Sequence, residues 1–181
     1  AYGFHTLEGL QCMIERRVGG ETGIVAVQCL QGDDVWRARD GGRWSWDLAV
    51  AAASTMEDGL VERIETDCRD TATLFLLEYA DGLQAAALLA HEWSGPVQGW
   101  AFAGQIGDQT RATFYVMGDD PYPHFSYQCL NIERLICDGV EPYPPERTLL
   151  TGGALEGLLD SRHRGGVRLE TPHLDVRYRS Y

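Results

Sequence analysis

Two strand-like runs, Thr73 to Tyr79 and Leu83 to His91, meet at Asp81-Gly82, a dipeptide that suits the tight turn of a β-hairpin. Two more runs follow, Val97 to Ile106 and Arg111 to Met117, with a turn at Gly107-Asp108. Neither pair leaves room for a crossover helix, which needs a dozen or more residues. Four sequential strands with short connections predict an antiparallel meander. That pattern constrains the rest of the chain, because an open antiparallel sheet has to bury its apolar face under helices.

The flanking sequence supplies them. Phe4, Leu7, Leu10, Met13 and Ile14 recur at helical spacing, which predicts a helix over 2–18. Arg16 and Arg17 suit its last turn, and Gly19-Gly20 stop it. Thr22 to Leu30 is rich in β-branched residues and predicts a strand. Asp40-Gly41-Gly42 marks a turn between segments around Trp36 and Trp44, and Ser45 can cap a helix through Ala49 to Ala53. Residues 57–71 are acidic and carry no clear period. A helix over Phe125 to Asp138 ends at Gly139, three prolines break the chain by Pro145, and a second helix runs to about His163. Val167 to Glu170 and Leu174 to Tyr178 predict a closing strand pair. The chain thus reads as one α+β domain over residues 1–181, an open, mainly antiparallel sheet with helices packed on one face.

Charge and composition exclude several functions. The net charge is −12, so the surface repels nucleic-acid backbones. All 15 basic residues are Arg, so no Schiff-base lysine and no phosphate-binding lysine of a P-loop is available. The five cysteines lie in or beside apolar sequence without a C-x-x-C pair, which predicts reduced thiols rather than a zinc site. No apolar run is long enough to cross a bilayer, and the expected location is cytoplasmic. No G-x-G-x-x-G follows a strand, so the glycine turn that brings a pyrophosphate to a helix N-terminus is missing.

Four segments form one ordered pattern: His5 in the first helix, Gly19-Gly20-Glu21-Thr22-Gly23, Leu76 to Gly82, and Ser161-Arg162-His163-Arg164-Gly165-Gly166. Together with the Pro142 to Pro145 break between two helices, they resemble the carboxy-terminal domain of the glucose–fructose oxidoreductase / inositol dehydrogenase (Gfo/Idh/MocA) family over almost the whole chain. The resemblance implies an open sheet of the dihydrodipicolinate-reductase-like type that helps to bind substrate and to form the oligomer. It also implies that an amino-terminal Rossmann domain, separate or missing here, supplies NAD(P) and the catalytic Lys. No cofactor is then bound by this chain alone. His5 stands where the family carries a proton-transferring His, and the matching Asp position falls on Ala1.

On its own chemistry His5 reads two ways, as an acid–base group near a helix start or as a ring packed at the core edge between Phe4 and Leu7. His91, Trp93, Tyr122 and His124 can line a polyol pocket, since aromatic faces and hydrogen-bonding groups suit sugars. Asp119-Asp120 reads as a solvated acidic turn rather than a metal site. Two functions follow: a substrate-binding and oligomerisation domain of a sugar- or polyol-type oxidoreductase, or a cofactor-free isomerase, epimerase or lyase with His5 as base and His91 or His124 as its partner. An open sheet with one bare apolar face predicts a homo-oligomer through that face.

Overall fold

A computed structural model describes residues 2–56, 61–93, 99–116 and 120–180. The element order is α1 (Tyr2–Ile14), β1 (Ile24–Gln31), α2 (Asp33–Asp40), α3 (Trp46–Ala53), α4 (Ile64–Cys68), β2 (Thr73–Tyr79), β3 (Gln84–Leu89), β4 (Trp100–Ile106), β5 (Gln109–Tyr115), α5 (Pro123–Asp138), α6 (Glu146–His163) and β6 (Leu169–Glu170). The fold is α+β with open antiparallel sheets, as the strand pattern requires. Among the described residues no helix is long and apolar enough to cross a membrane.

The main sheet has the order β3-β2-β1-β6. Alternation along β2 sends Phe75, Leu77 and Tyr79 to one face and Leu74 and Leu76 to the other, as a two-residue period demands. The first face is covered by the two long helices. From α6 come Leu150, Ala154 and Leu158, and from α1 comes Leu7, all fully or almost fully buried against Ile24, Val27 and Cys29 of β1. Among the described residues, helices cover the second face at one end. At one end Val35, Trp36 and Ala38 of α2 and Ile64 and Cys68 of α4 pack on Leu30, Leu74 and Leu76. At the other end the sheet is polar. Arg168 grips Glu78 with two bonds of 2.7 Å, and Arg43 donates to Gln28 at 2.6 Å. The bare sheet face is therefore not the apolar surface expected of it.

Three local expectations change. The four-stranded meander divides: β2 and β3 join the main sheet, while β4 and β5 pair with each other as a separate ribbon. Residues 97, 98 and 117, assigned to strands from sequence, lie outside the described residues. The ribbon is drawn aside because its aromatic residues pack on helices: Tyr115 lies over Gly9, where an added Cβ would stand 1.7 Å from its hydroxyl. The closing strand pair reduces to two-residue β6, a 3-10 turn at Pro172–Leu174 and one bridge between Glu21 and Tyr178. The first helix stops at Ile14 rather than running to 18, because Arg17 folds back to donate to the Ile14 carbonyl at 3.1 Å and to side chains beyond it.

The short β6 is compensated by a side chain. Ala26 pairs with Glu170 and Val27 with Leu169, and the same register would set Cys29 opposite Val167. The Ser161 hydroxyl takes that place: it accepts from the Cys29 amide at 3.0 Å and donates to the Val167 carbonyl at 2.6 Å. Two backbone groups that would otherwise be unpaired are satisfied by one hydroxyl.

Candidate functional site

Sequence reasoning nominated His5, His91, Trp93, Tyr122 and His124, and the structure sorts them into three places. His5 and His91 share one surface. Both are exposed. Tyr2 and His5 are three residues apart on α1, so they lie on one helix face. The Tyr2 ring sits 5.0 Å from His91, just past the end of β3. The His5 ring meets Trp100 edge-on at 6.2 Å and Phe4 at 6.1 Å. Trp100 is held in turn: its Nε1 donates to Thr6 Oγ1 at 3.2 Å, and its ring stacks on Tyr115 at 5.7 Å with a 9° tilt. The result is a shelf of two imidazoles and two aromatic rings at the start of α1, backed by Tyr115.

Trp93 goes elsewhere. It is partly buried against the second core. Tyr122 and His124 form a third group at the start of α5, 6.0 Å apart, with His124 4.4 Å from Phe125. The Nδ1 of His124 is buried without a hydrogen-bond partner. The four residues expected to line a polyol pocket thus meet different neighbours: His91 meets Tyr2, Trp93 the second core, and Tyr122 and His124 meet each other and Phe125. Among the described residues no group of three His, Cys, Asp or Glu side chains is placed to hold a metal, and Asp119 lies outside the described residues.

Two of the segments that carried the resemblance, Gly19 to Gly23 and Leu76 to Gly82, fold into something else: a buried polar knot. Glu21, from the Gly-Gly-Glu-Thr-Gly segment, accepts from the amides of Thr22 and Gly23 at 2.7 and 2.8 Å and from Gln11 at 2.5 Å. Arg17 donates to both Glu21 oxygens at 3.0 and 3.2 Å and to Asp81 of the hairpin turn at 2.6 Å. Tyr79 donates to the side-chain Oε1 of Gln11 at 2.9 Å. Gln11 also donates to Tyr178 at 2.9 Å, and Tyr178 donates to Glu15 at 2.8 Å. Arg147 of α6 closes the chain with two bonds to Glu15, one of 2.8 Å. The side chains of Glu15 and Glu21 are wholly buried. Burial alone would raise the Glu15 carboxyl, but hydrogen bonds from Arg147, Tyr178 and Ser180 outweigh it and hold the group below the usual carboxylate range. Burial pushes Tyr79 well above the usual phenol range. Every member of the knot is paired, so it fixes α1, β1, the hairpin, α6 and the carboxy-terminal tail to one another. It offers no open position to a ligand.

The buried thiols are equally unsuited to chemistry. Burial pushes Cys29 up to about 11 and also raises Cys68, so neither is a thiolate at neutral pH.

Residue type marked His5 and His91 before the structure did. Tyr2 and Trp100 were not among the residues nominated from sequence. The only available signal for their meeting was the composition of the segments, because Trp100 reaches α1 through a ribbon whose placement depends on tertiary packing. No family model, curated protein or solved structure matches the chain, so the family resemblance rests on the sequence segments themselves.

Proposed function

We propose that this chain is the substrate-binding and oligomerisation domain of a Gfo/Idh/MocA-type oxidoreductase acting on a sugar or polyol in the cytoplasm, with the shelf at the start of α1 as its ligand face. The observation that carries the reading is the exposed pair His5 and His91 set among Tyr2 and Trp100. Aromatic rings cover the apolar C–H face of a sugar, and imidazoles exchange hydrogen bonds with its hydroxyls. His5 can also take a proton from a hydroxyl, the step that accompanies hydride removal from an alcohol.

The dinucleotide has to be supplied by another unit. In this chain β1 leads through Gly32 into α2, whose first turn holds Asp33 and Asp34. Two carboxylates at a helix N-terminus oppose a pyrophosphate there. A separate or preceding Rossmann domain would bring NAD(P) as hydride acceptor, and this chain would bind and orient the alcohol and hold the proton on His5. A cofactor-free isomerase is the second reading. His5 and His91 favour it in that two imidazoles flank one surface, although His124 lies with Tyr122 on a different element.

The test is a titration of the chain with a panel of hexoses and cyclitols, followed by nuclear magnetic resonance. Binding weakened about 10-fold or more in His5→Ala, with the fold unchanged, is expected from the loss of one or more hydrogen bonds to the ligand. Equal affinity in His5→Ala, or no binding by any member of the panel, would reject the assignment. Turnover of a bound sugar with no added dinucleotide would favour the isomerase instead.

A further inference from the structure

Trp100 reaches His5 from the β4–β5 ribbon, and three side-chain positions decide how its ring stands there. Trp100 lies directly opposite Tyr115 in the ribbon register, so the two side chains leave the ribbon on one face. Their rings stack 5.7 Å apart and 9° from parallel, an arrangement that aromatic pairs favour. Both residues reach α1. Trp100 Nε1 donates to Thr6 Oγ1 at 3.2 Å, and the same hydroxyl donates to the Tyr2 carbonyl at 2.9 Å. The indole is thereby tied to the turn of α1 that carries Tyr2 and His5. Three residues beyond Thr6, on the same helix face, the Tyr115 hydroxyl fills the space a side chain would take at Gly9. An added Cβ there would stand 1.7 Å from the oxygen and 2.9 Å from Cζ. Glycine in a helix interior weakens the helix, and at this position it admits Tyr115.

We infer that Thr6, Gly9 and Tyr115 are positioning residues of the ligand face: they set the plane and place of Trp100 beside His5. Thr6 holds one edge of the indole. Tyr115 sets its plane by stacking, and Gly9 sets how closely Tyr115 approaches α1. Tyr115 covers one face of the indole, which leaves the opposite face as the one a sugar could stack on. A tilt of Trp100 turns that face relative to His5, and a site works only while its supporting side chains hold that geometry. The inference rests on the reading of the α1 shelf as a sugar-binding face and names what holds that face in shape.

The experiment follows two quantities: the Trp100 indole N–H resonance of the free chain, assigned by its loss in Trp100→Phe, and the affinity for the tightest-binding hexose or cyclitol. Gly9→Ala is the decisive variant. It removes no atom from the shelf, and helix propensity alone would make it more stable than the wild type. It should instead shift the indole resonance and weaken sugar binding about 10-fold, the scale of one lost stacking contact. Gly9→Ala/Tyr115→Phe lacks the closest oxygen and should regain part of both. Thr6→Val adds no bulk, so it keeps the test open should Gly9→Ala fail to fold. It should shift the indole resonance and weaken binding about 3-fold or more, as one hydrogen bond is lost. Gly152→Ala, within α6 and with nothing within 4 Å of the added Cβ, is the matched control and should change neither quantity. An unmoved indole resonance in Gly9→Ala or Thr6→Val, or a moved resonance with unchanged affinity, would overturn the inference. A wild type that binds no sugar would instead reject the reading of the shelf, and the resonance of the free chain tells the two failures apart because it needs no ligand.

Discussion

Replacing Arg147 with Leu should destabilise the domain by about 3–5 kcal/mol, the cost of leaving a buried charge without its partner. At roughly 2–4 °C per kcal/mol for a chain of this size, Tm falls on the order of 10 °C. Arg147 is nearly buried and makes two bonds to Glu15, whose side chain has no solvent exposure. In the variant Glu15 keeps its hydrogen bonds from Tyr178 and Ser180, but its charge is no longer balanced. The double variant Glu15→Leu/Arg147→Leu should recover most of the loss, because two apolar side chains do not need each other's charge. A loss below about 1 kcal/mol in the single variant would mean that the knot is not the clamp described here, since that is the range of an exposed ion pair.

The pH dependence separates the two states of Glu15. In the wild type its folded pKa lies below the unfolded value, which is about 4.3. The unfolded state then binds more protons than the folded one as pH drops through this range. The Glu15 contribution is therefore complete above the unfolded pKa and is lost as pH falls through the folded value. Without Arg147 the hydrogen bonds and charge that most oppose burial are gone, so the folded pKa moves up and the Glu15 contribution at neutral pH shrinks. The stability gap between wild type and Arg147→Leu should narrow from pH 7 to pH 4 in denaturant titrations.

Gly23→Ala should cost about 2–4 kcal/mol, from backbone strain and from crowding against groups that cannot swing away. Gly23 has φ of +94°, and a Cβ there would stand 2.6 Å from the Leu174 carbonyl oxygen and 3.1 Å from the Asp175 Cα. These are backbone atoms of the tail that Tyr178 anchors, so relief would require moving the tail off β1. Gly82→Ala is the matched control. It has a similar φ of +90° with nothing within 4 Å of the added Cβ, so it carries the conformational cost without the contact. Equal losses at the two positions in urea unfolding would show that the close approach of the tail contributes nothing.

Local chemistry made much of the fold legible. Asp81-Gly82 marks the β2–β3 hairpin, and Ser45 caps α3 by accepting from Leu48 at 3.2 Å. Gly139 ends α5 with φ of +66°, the left-handed cap that glycine favours. Alpha-helix α2 was not legible, because Asp33–Asp40 is short and its apolar residues Val35, Trp36 and Ala38 show less than one clear helical period. The division of the four strands into a sheet and a ribbon was not legible either. Each hairpin satisfies its own backbone, and what parts them is the packing of β4 and β5 on α3, with Tyr115 and Trp100 also meeting α1.

The candidate site was legible by type and not by partner. His5 and His91 were nominated by residue type, and the rings that stand beside them, Tyr2 and Trp100, come from elements whose meeting depends on tertiary packing. The segments that resemble a family pointed toward substrate, yet Glu21, Tyr79, Asp81 and Ser161 all serve hydrogen bonds inside the fold. Sequence alone does not distinguish these roles, because a polar residue needed in a buried network and one needed for a ligand are the same residue types.

The most direct test of the ligand face is an amide resonance map of the ¹⁵N-labelled chain titrated with the tightest-binding cyclitol or hexose. Shifts confined to residues 2–6, His91 and Trp100, with the Trp100 indole N–H among them, are the predicted result. Shifts centred on Tyr122 and His124, or spread along the Glu21–Tyr178 knot with the α1 shelf silent, would contradict it.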